Sequence, residues 1–130
     1  LVCEHSQIHS RGVLGFTDFT EDELRRFTPV LQRLVRVHPI TGRKSLYLSS
    51  HAGAVVGWPV PEGRNLLRDL VEHATQREHV HAHEWRPDDV VMWDNRTTMH
   101  RARRYDPAER RDLRRTTVAS ESPTVEQLAA

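Results

Sequence analysis

Apolar residues in this chain come in short runs, and nearly every run is cut off by proline, glycine or Asx chemistry. That pattern constrains the fold more than any other feature, because it asks for short strands joined by turns. Residues 30–37 form one such run, and periodicity does not separate a strand from a helical turn there. His38-Pro39-Ile40-Thr41-Gly42 is turn chemistry. Residues 45–49 and 54–58 read as strands. More strands are expected over residues 78–85, ended by Pro87-Asp88-Asp89, over 90–93, which reads as buried, over 99–101 and over 112–119. Residues 1–16 carry little periodicity. Two helices interrupt the series. Thr20-Glu21-Asp22-Glu23 is a capping box that should open a helix through about Phe27. Pro61-Glu62 opens an amphipathic helix with Leu66, Leu67, Leu70 and Val71 as its apolar stripe. The fold class this predicts is mainly β with helices (α+β), barrel-like rather than a bundle. There is no βαβ alternation, no G-x-G-x-x-G and no P-loop.

A chain of 130 residues can build one domain with a core. Nineteen basic against eighteen acidic residues leave a formal charge of +1, so no global field points to nucleic acid or a membrane. Seven arginines nevertheless fall between Arg101 and Arg115, which makes the local potential positive. Cys3 is the single cysteine, which suits a reducing cytoplasm and excludes an internal disulfide framework. No apolar run reaches membrane-span length. The first residue is Leu1, so the chain is expected to begin inside a longer gene product. Oligomeric state is open, a homo-oligomer included.

Chemistry concentrates near the C-terminus. Trp93-Asp94-Asn95-Arg96-Thr97-Thr98-Met99-His100 places an imidazole just after a polar turn that follows an apolar run. Asp94 and Asn95 are expected to cap that turn through their own side chains, and Trp93 to sit in the core. A lone histidine is more often a hydrogen-bonded structural residue than a metal ligand, but the arginines downstream shift the weighting of His100. On a strand, Arg111, Leu113, Arg115 and Thr117 would share a face. Arg111 and Arg115 would then lie roughly 13 Å apart at about 3.3 Å per residue, too far for one carboxylate and suited to two anions. Guanidinium binds carboxylate bidentately and stays charged when partly buried. A solvated basic face is the competing explanation. His79, His81 and His83 alternate and could in principle hold zinc, but no fourth ligand is suggested. His73 reads as a structural residue near a helix C-terminus. His51 lies in a loop between strands, where binding residues are common. Cys3 has no activating partner in sequence.

Taken together, Trp93-Asp94-Asn95-Arg96 with Met99-His100, Arg111 and Arg115 resembles the C-terminal half of the taurine/2,4-dichlorophenoxyacetate dioxygenase family. The likeness extends to Gly15-Phe16-Thr17-Asp18-Phe19-Thr20, His38-Pro39 with Thr41-Gly42-Arg43, Leu46-Tyr47-Leu48-Ser49-Ser50-His51-Ala52-Gly53 and Val56-Gly57-Trp58-Pro59. It is nearer the phenoxyacetate branch than the taurine branch. The resemblance implies a partial double-stranded β-helix (jelly-roll, cupin-like), with residues 1–120 the C-terminal portion of one domain and 121–130 a flexible tail. It implies Fe(II) as cofactor and 2-oxoglutarate as cosubstrate. His100 would be the distal iron ligand of a 2-His-1-carboxylate site. Arg111 would bind the far carboxylate of 2-oxoglutarate, Arg115 the anion of the substrate, and His51 would approach that substrate.

The implied activity is O2-dependent hydroxylation of a small anionic substrate such as an aryloxyacetate, with CO2 and succinate as co-products. Hydroxylation beside the ether oxygen would release a phenol and glyoxylate. The family's His-x-Asp pair is missing: none of the nine histidines has an aspartate two residues on, so the isolated chain is expected to be inactive. The alternatives are a taurine or alkylsulfonate-type dioxygenase, a non-catalytic anion-binding module and, from the arginine cluster, a nucleic-acid binder. The last lacks interleaved aromatics apart from Tyr105.

Overall fold

The computed structural model describes residues 1–119; the tail expected over 121–130 lies outside them. In chain order the elements are β1 (Val2–His5), α1 (Gln7–Val13), α2 (Glu21–Arg26), β2 (Val30–Arg33), β3 (Val35–Val37), β4 (Lys44–Leu46), β5 (Ala52–Val55) and α3 (Val60–Ala74), followed by one 3-10 turn at Arg77–His79. The result is a mixed α and β fold with two small antiparallel sheets. β1 is the middle strand of the first, in the order β2-β1-β5. Cys3 stands opposite Gln32 on one side and Val55 on the other, and the register of β1 against β5 shifts between Glu4 and His5. The second sheet is the β3–β4 hairpin, in which Val35 pairs with Leu46 and Val37 with Lys44.

Strand alternation decides what β1 buries. Cys3 and His5 are buried while Glu4 between them is exposed. Cys3, Leu34, Leu48, Val55 and Leu67 make the core, with Ala52, Leu70, Val71 and Ala74 packed against it. α3 therefore presents Leu67, Leu70 and Val71 of the expected stripe to the sheet. Pro61 lies in its first turn, where the missing N–H has no partner to lose. Gly63 lets the helix come close: a Cβ there would sit 3.1 Å from the Val55 amide nitrogen. The capping box forms as expected. Thr20 Oγ1 accepts from the Glu23 amide at 3.2 Å, and Glu23 Oε2 accepts from the Thr20 amide at 3.1 Å.

Several expectations need correction. Residues 1–16, expected to be without clear elements, hold both the central strand and a helix capped by Ser6, whose Oγ accepts from the Ile8 and His9 amides. Residues 30–37 resolve into two strands. The strand expected over 54–58 ends at Val55, because the Trp58 amide turns back onto the Val55 carbonyl at 3.1 Å. The strands expected over 78–85, 90–93, 99–101 and 112–119 do not form. A strand exists only as a member of a ladder, and among the described residues these segments find no partner strand. The apolar run at 90–93 is not buried either: Val90 and Met92 are 93% and 94% exposed. No helix among the described residues is long and apolar enough to cross a membrane.

Candidate active site

The segment carrying His100 is held at a turn. Asp94 Oδ1 accepts from the Arg96 amide at 2.9 Å, and the Thr97 and Thr98 amides donate to the Asp94 carbonyl at 3.1 and 3.0 Å. The Asx cap expected of Asp94 is therefore present. Asn95 does something else: its Oδ1 accepts from the Trp93 indole N–H at 2.7 Å. Trp93 is half-buried rather than core, and its ring leans on the His100 imidazole with centroids 5.0 Å apart. The Arg96 guanidinium grips both Asp94 oxygens, at 2.7 to 3.1 Å, and holds that carboxyl well below the usual carboxylate range; the Arg96 amide and His38 add to the effect.

Two bonds carry this turn onto the β3–β4 hairpin. His38 Nε2 meets Asp94 Oδ2 at 3.0 Å, and Ser45 Oγ donates to the Arg96 carbonyl at 3.2 Å. His38 begins the hairpin turn, where its Nδ1 accepts from the Ile40 and Thr41 amides at 3.3 and 3.1 Å. An Nδ1 that accepts fixes the tautomer, so the proton is on Nε2 and Nε2–H donates to Asp94. Nothing in the sequence marks this pair, since the partners lie 56 residues apart.

Of the residues singled out by sequence, the structure brings His100 and Arg115 together. Arg115 Nη1 lies 3.4 Å from His100 Nε2. Arg111 is elsewhere: its guanidinium lies over the Tyr105 ring, 4.9 Å from the centroid. All of these groups are exposed. With no ladder at 112–119, the shared strand face reasoned for the two arginines does not apply to the described chain. His81 is exposed, His79 packs on His73 with centroids 5.4 Å apart, and His83 meets Asp89 Oδ2 at 3.0 Å, so the histidine run has no common face.

His51 belongs to the body of the fold and is anchored on three sides. Its carbonyl accepts from the Ser6 amide at 2.9 Å, and its amide donates to Ser49 Oγ at 3.1 Å. Its Nδ1 meets Ser10 Oγ at 2.8 Å. The Ser10 hydroxyl proton goes to the Gln7 carbonyl at 3.0 Å, so His51 Nδ1–H is the donor to Ser10. Ser49 Oγ also meets His5 Nδ1 at 3.2 Å, which ties the loop to buried His5. His5 stacks on Tyr47, and Arg36 lies over the same ring. Gly53 is needed here, because a Cβ on it would stand 2.7 Å from His9 Cγ. An open groove of about 310 Å³ runs beside this loop, lined by Ile8, His9, Gly12, Val13 and Arg64. None of the residues singled out by sequence lines it.

Does this donor set fit an iron ion? Among the described residues no three His, Cys, Asp or Glu side chains converge to hold a metal. The lone pair of His100 Nε2 faces an arginine N–H. One imidazole beside a cation is not an iron site, so the described residues by themselves do not fit the metal.

Comparison with known proteins places these features. Residues 3–117 match the family described as taurine catabolism dioxygenase TauD, TfdA family. The chain is 50% identical, over 94% of its length, to the alpha-ketoglutarate-dependent 2,4-dichlorophenoxyacetate dioxygenase of Cupriavidus pinatubonensis, of which it covers 42%. It is 37% identical, over 99% of its length, to the (S)-phenoxypropionate/alpha-ketoglutarate-dioxygenase of Sphingobium herbicidovorans, of which it covers 47%. In structure it is similar to AAD-2 in complex with Mn(II) and N-oxalylglycine, at a TM-score of 0.93 and 64% identity, covering 97% of this chain and 50% of that one. The chain thus spans about half the length of the relatives it matches. The Trp93–His100 turn, the two arginines and the His51 loop all fall inside the matched residues, and the chain belongs to the TauD/TfdA family.

Proposed function

We propose that residues 1–120 are the C-terminal portion of a double-stranded β-helix domain. The protein containing them would be an Fe(II)- and 2-oxoglutarate-dependent dioxygenase acting on an aryloxyalkanoic acid. The observation that carries the reading is the family match over residues 3–117, which includes His100, Arg111, Arg115 and His51. Supporting it, two relatives are named for aryloxyalkanoate substrates, and N-oxalylglycine, bound by a structural relative, has the shape of 2-oxoglutarate with N–H for one methylene. The buried, unpaired Cys3 thiol suits a reducing cytoplasm.

The balance is one O2 shared between two carbons. 2-oxoglutarate loses CO2 and gains one oxygen atom as succinate, and the substrate C–H becomes C–OH. On this reading His100 is one metal ligand, and the other donors come from outside the described residues. The chain's own contribution is anion binding and orientation. Arg111 takes the far carboxylate of 2-oxoglutarate as a bidentate fork, and Arg115 takes the carboxylate of the substrate. His51, anchored through Ser10 and Ser49, turns Nε2 toward the substrate.

The test is a panel of aryloxyacetates, aryloxypropionates and alkylsulfonates incubated with the full-length protein, Fe(II), 2-oxoglutarate and O2, with succinate release measured. An aryloxy acid should be turned over fastest, and His100→Ala should abolish turnover. A second reading, anion binding without turnover, draws on the Arg115–His100 contact, which sets a cation against one of the two imidazole nitrogens. Anion binding without succinate release from any substrate would decide for it. Fastest release with an alkylsulfonate would move the protein to a taurine-like specificity.

A further inference from the structure

The stretch from residue 80 to 119 holds the residues assigned to chemistry, yet it contributes no strand to either sheet. Two side-chain hydrogen bonds join the turn before His100 to the folded body, and one of them is charge-assisted: His38 Nε2–H to Asp94 Oδ2 at 3.0 Å. The His38 side chain is almost fully enclosed, with a tenth of it exposed. Both of its ring nitrogens are used. Nδ1 closes the hairpin turn by accepting the Ile40 and Thr41 amides, and Nε2–H reaches across to Asp94. The rest of the Asp94 network is local, since Arg96 is only two residues away and turns with it. We propose that His38 is a positioning residue: its imidazole pins the residue 93–98 turn to the β3–β4 hairpin and so sets where His100 stands. The link from that placement to turnover rests on the function proposed above, whereas the tether itself does not.

Because the two nitrogens have separate jobs, two substitutions separate them. His38→Asn retains a carbonyl oxygen near Nδ1, which keeps the turn, and is too short to reach Asp94. His38→Gln carries its amide N–H nearer the Nε2 position. The experiment is amide hydrogen exchange on the full-length protein, read at Arg96, Thr97 and Thr98, with Val56, whose amide donates to the Val2 carbonyl, as the control for the sheet. In parallel, kcat and KM are measured for an aryloxyacetate and 2-oxoglutarate. His38→Asn should speed exchange at Arg96, Thr97 and Thr98 about tenfold, the loss of one charge-assisted bond, without changing Val56. It should also lower kcat more than it raises either KM. His38→Gln should restore most of the protection.

Should His38→Asn fail to fold, Asp94→Asn approaches the same bond from the other end. It keeps one carbonyl oxygen for the Arg96 amide, gives up the one that faces both His38 and the Arg96 guanidinium, and should speed the same exchange by more than tenfold, since the Arg96 grip loosens as well. Unchanged exchange at residues 96–98 in both variants overturns the tether. Faster exchange with unaltered kcat, in a protein that His100→Ala inactivates, overturns the positioning role. Turnover that survives His100→Ala counts against the proposed function and leaves the tether standing.

Discussion

His5 should make the fold sensitive to mild acid. Its imidazole is 7% exposed, its Nδ1 is engaged by Ser49, and its Nε2 is buried without a hydrogen-bond partner among the described residues. Protonation would leave an N–H at Nε2 with no acceptor, in a place where Arg36 and His51 already add positive charge. Burial first, then Arg36 and His51, push the group from an ordinary 6.5 down to about 4. A histidine depressed by folding binds its proton more readily in the unfolded chain, so stability is complete above 6.5 and is lost as pH falls toward 4. At about 1.36 kcal/mol per unit the full loss is about 3 kcal/mol, with about 2 kcal/mol of it reached by pH 5. His9, also lowered by burial and by Arg64 and His51, works in the same direction. The lowered carboxylates Asp94 and Glu23 lose their contributions only as pH falls below the ordinary carboxylate range. The assay is urea unfolding of wild type and His5→Phe between pH 7.5 and 4.5, with the His5 ring followed by NMR. His5→Phe keeps an aromatic ring against Tyr47 and removes the titration, so its stability should fall less steeply with acid. A His5 resonance titrating at or above 6.5, or parallel pH profiles for the two proteins, would refute the reasoning.

Other outcomes follow from the same geometry. On the proposed function, Arg111→Ala in the full-length protein should chiefly raise KM for 2-oxoglutarate and Arg115→Ala chiefly KM for the organic acid, by at least tenfold in each case; steady-state titration of both compounds reads the split, and reversed effects reject the assignment. Leu67→Ala empties the contact between α3 and the sheet and should cost about 2–5 kcal/mol in denaturant unfolding. Thr20→Ala removes one half of the capping box of α2 and should cost about 1 kcal/mol by the same measurement.

How much of this was legible in the residues varied with the range of the interaction. Local chemistry read well: the Thr20–Glu23 box, the Pro61 start of α3 and the Asx turn at Asp94 all depend on neighbours within a few positions. β1 escaped because its two buried residues are Cys3 and His5, too few and too polar to register as an apolar alternation. The Ser6 cap of α1 was visible in principle, as a serine before Gln7-Ile8-His9, but no apolar stripe followed to support it. The segments read as strands after residue 78 have the composition of strands and lack the ladder. Periodicity reports which face a residue would take, and says nothing about whether a partner is there to pair with. The candidate site could be proposed from residue types but not located as a place. His38 and Asp94 are joined only by the folding of a hairpin onto a distant turn.

Cys3 offers a clock for the opening motions of this part of the molecule. Cys3 lies wholly enclosed at the centre of its sheet, and its thiol is pushed up by that enclosure. An alkylating reagent can reach the sulfur only when the core packed over it opens, so the labelling rate reports how often that core breathes. A ligand or partner surface that steadies this core would announce itself as slower modification of that one atom.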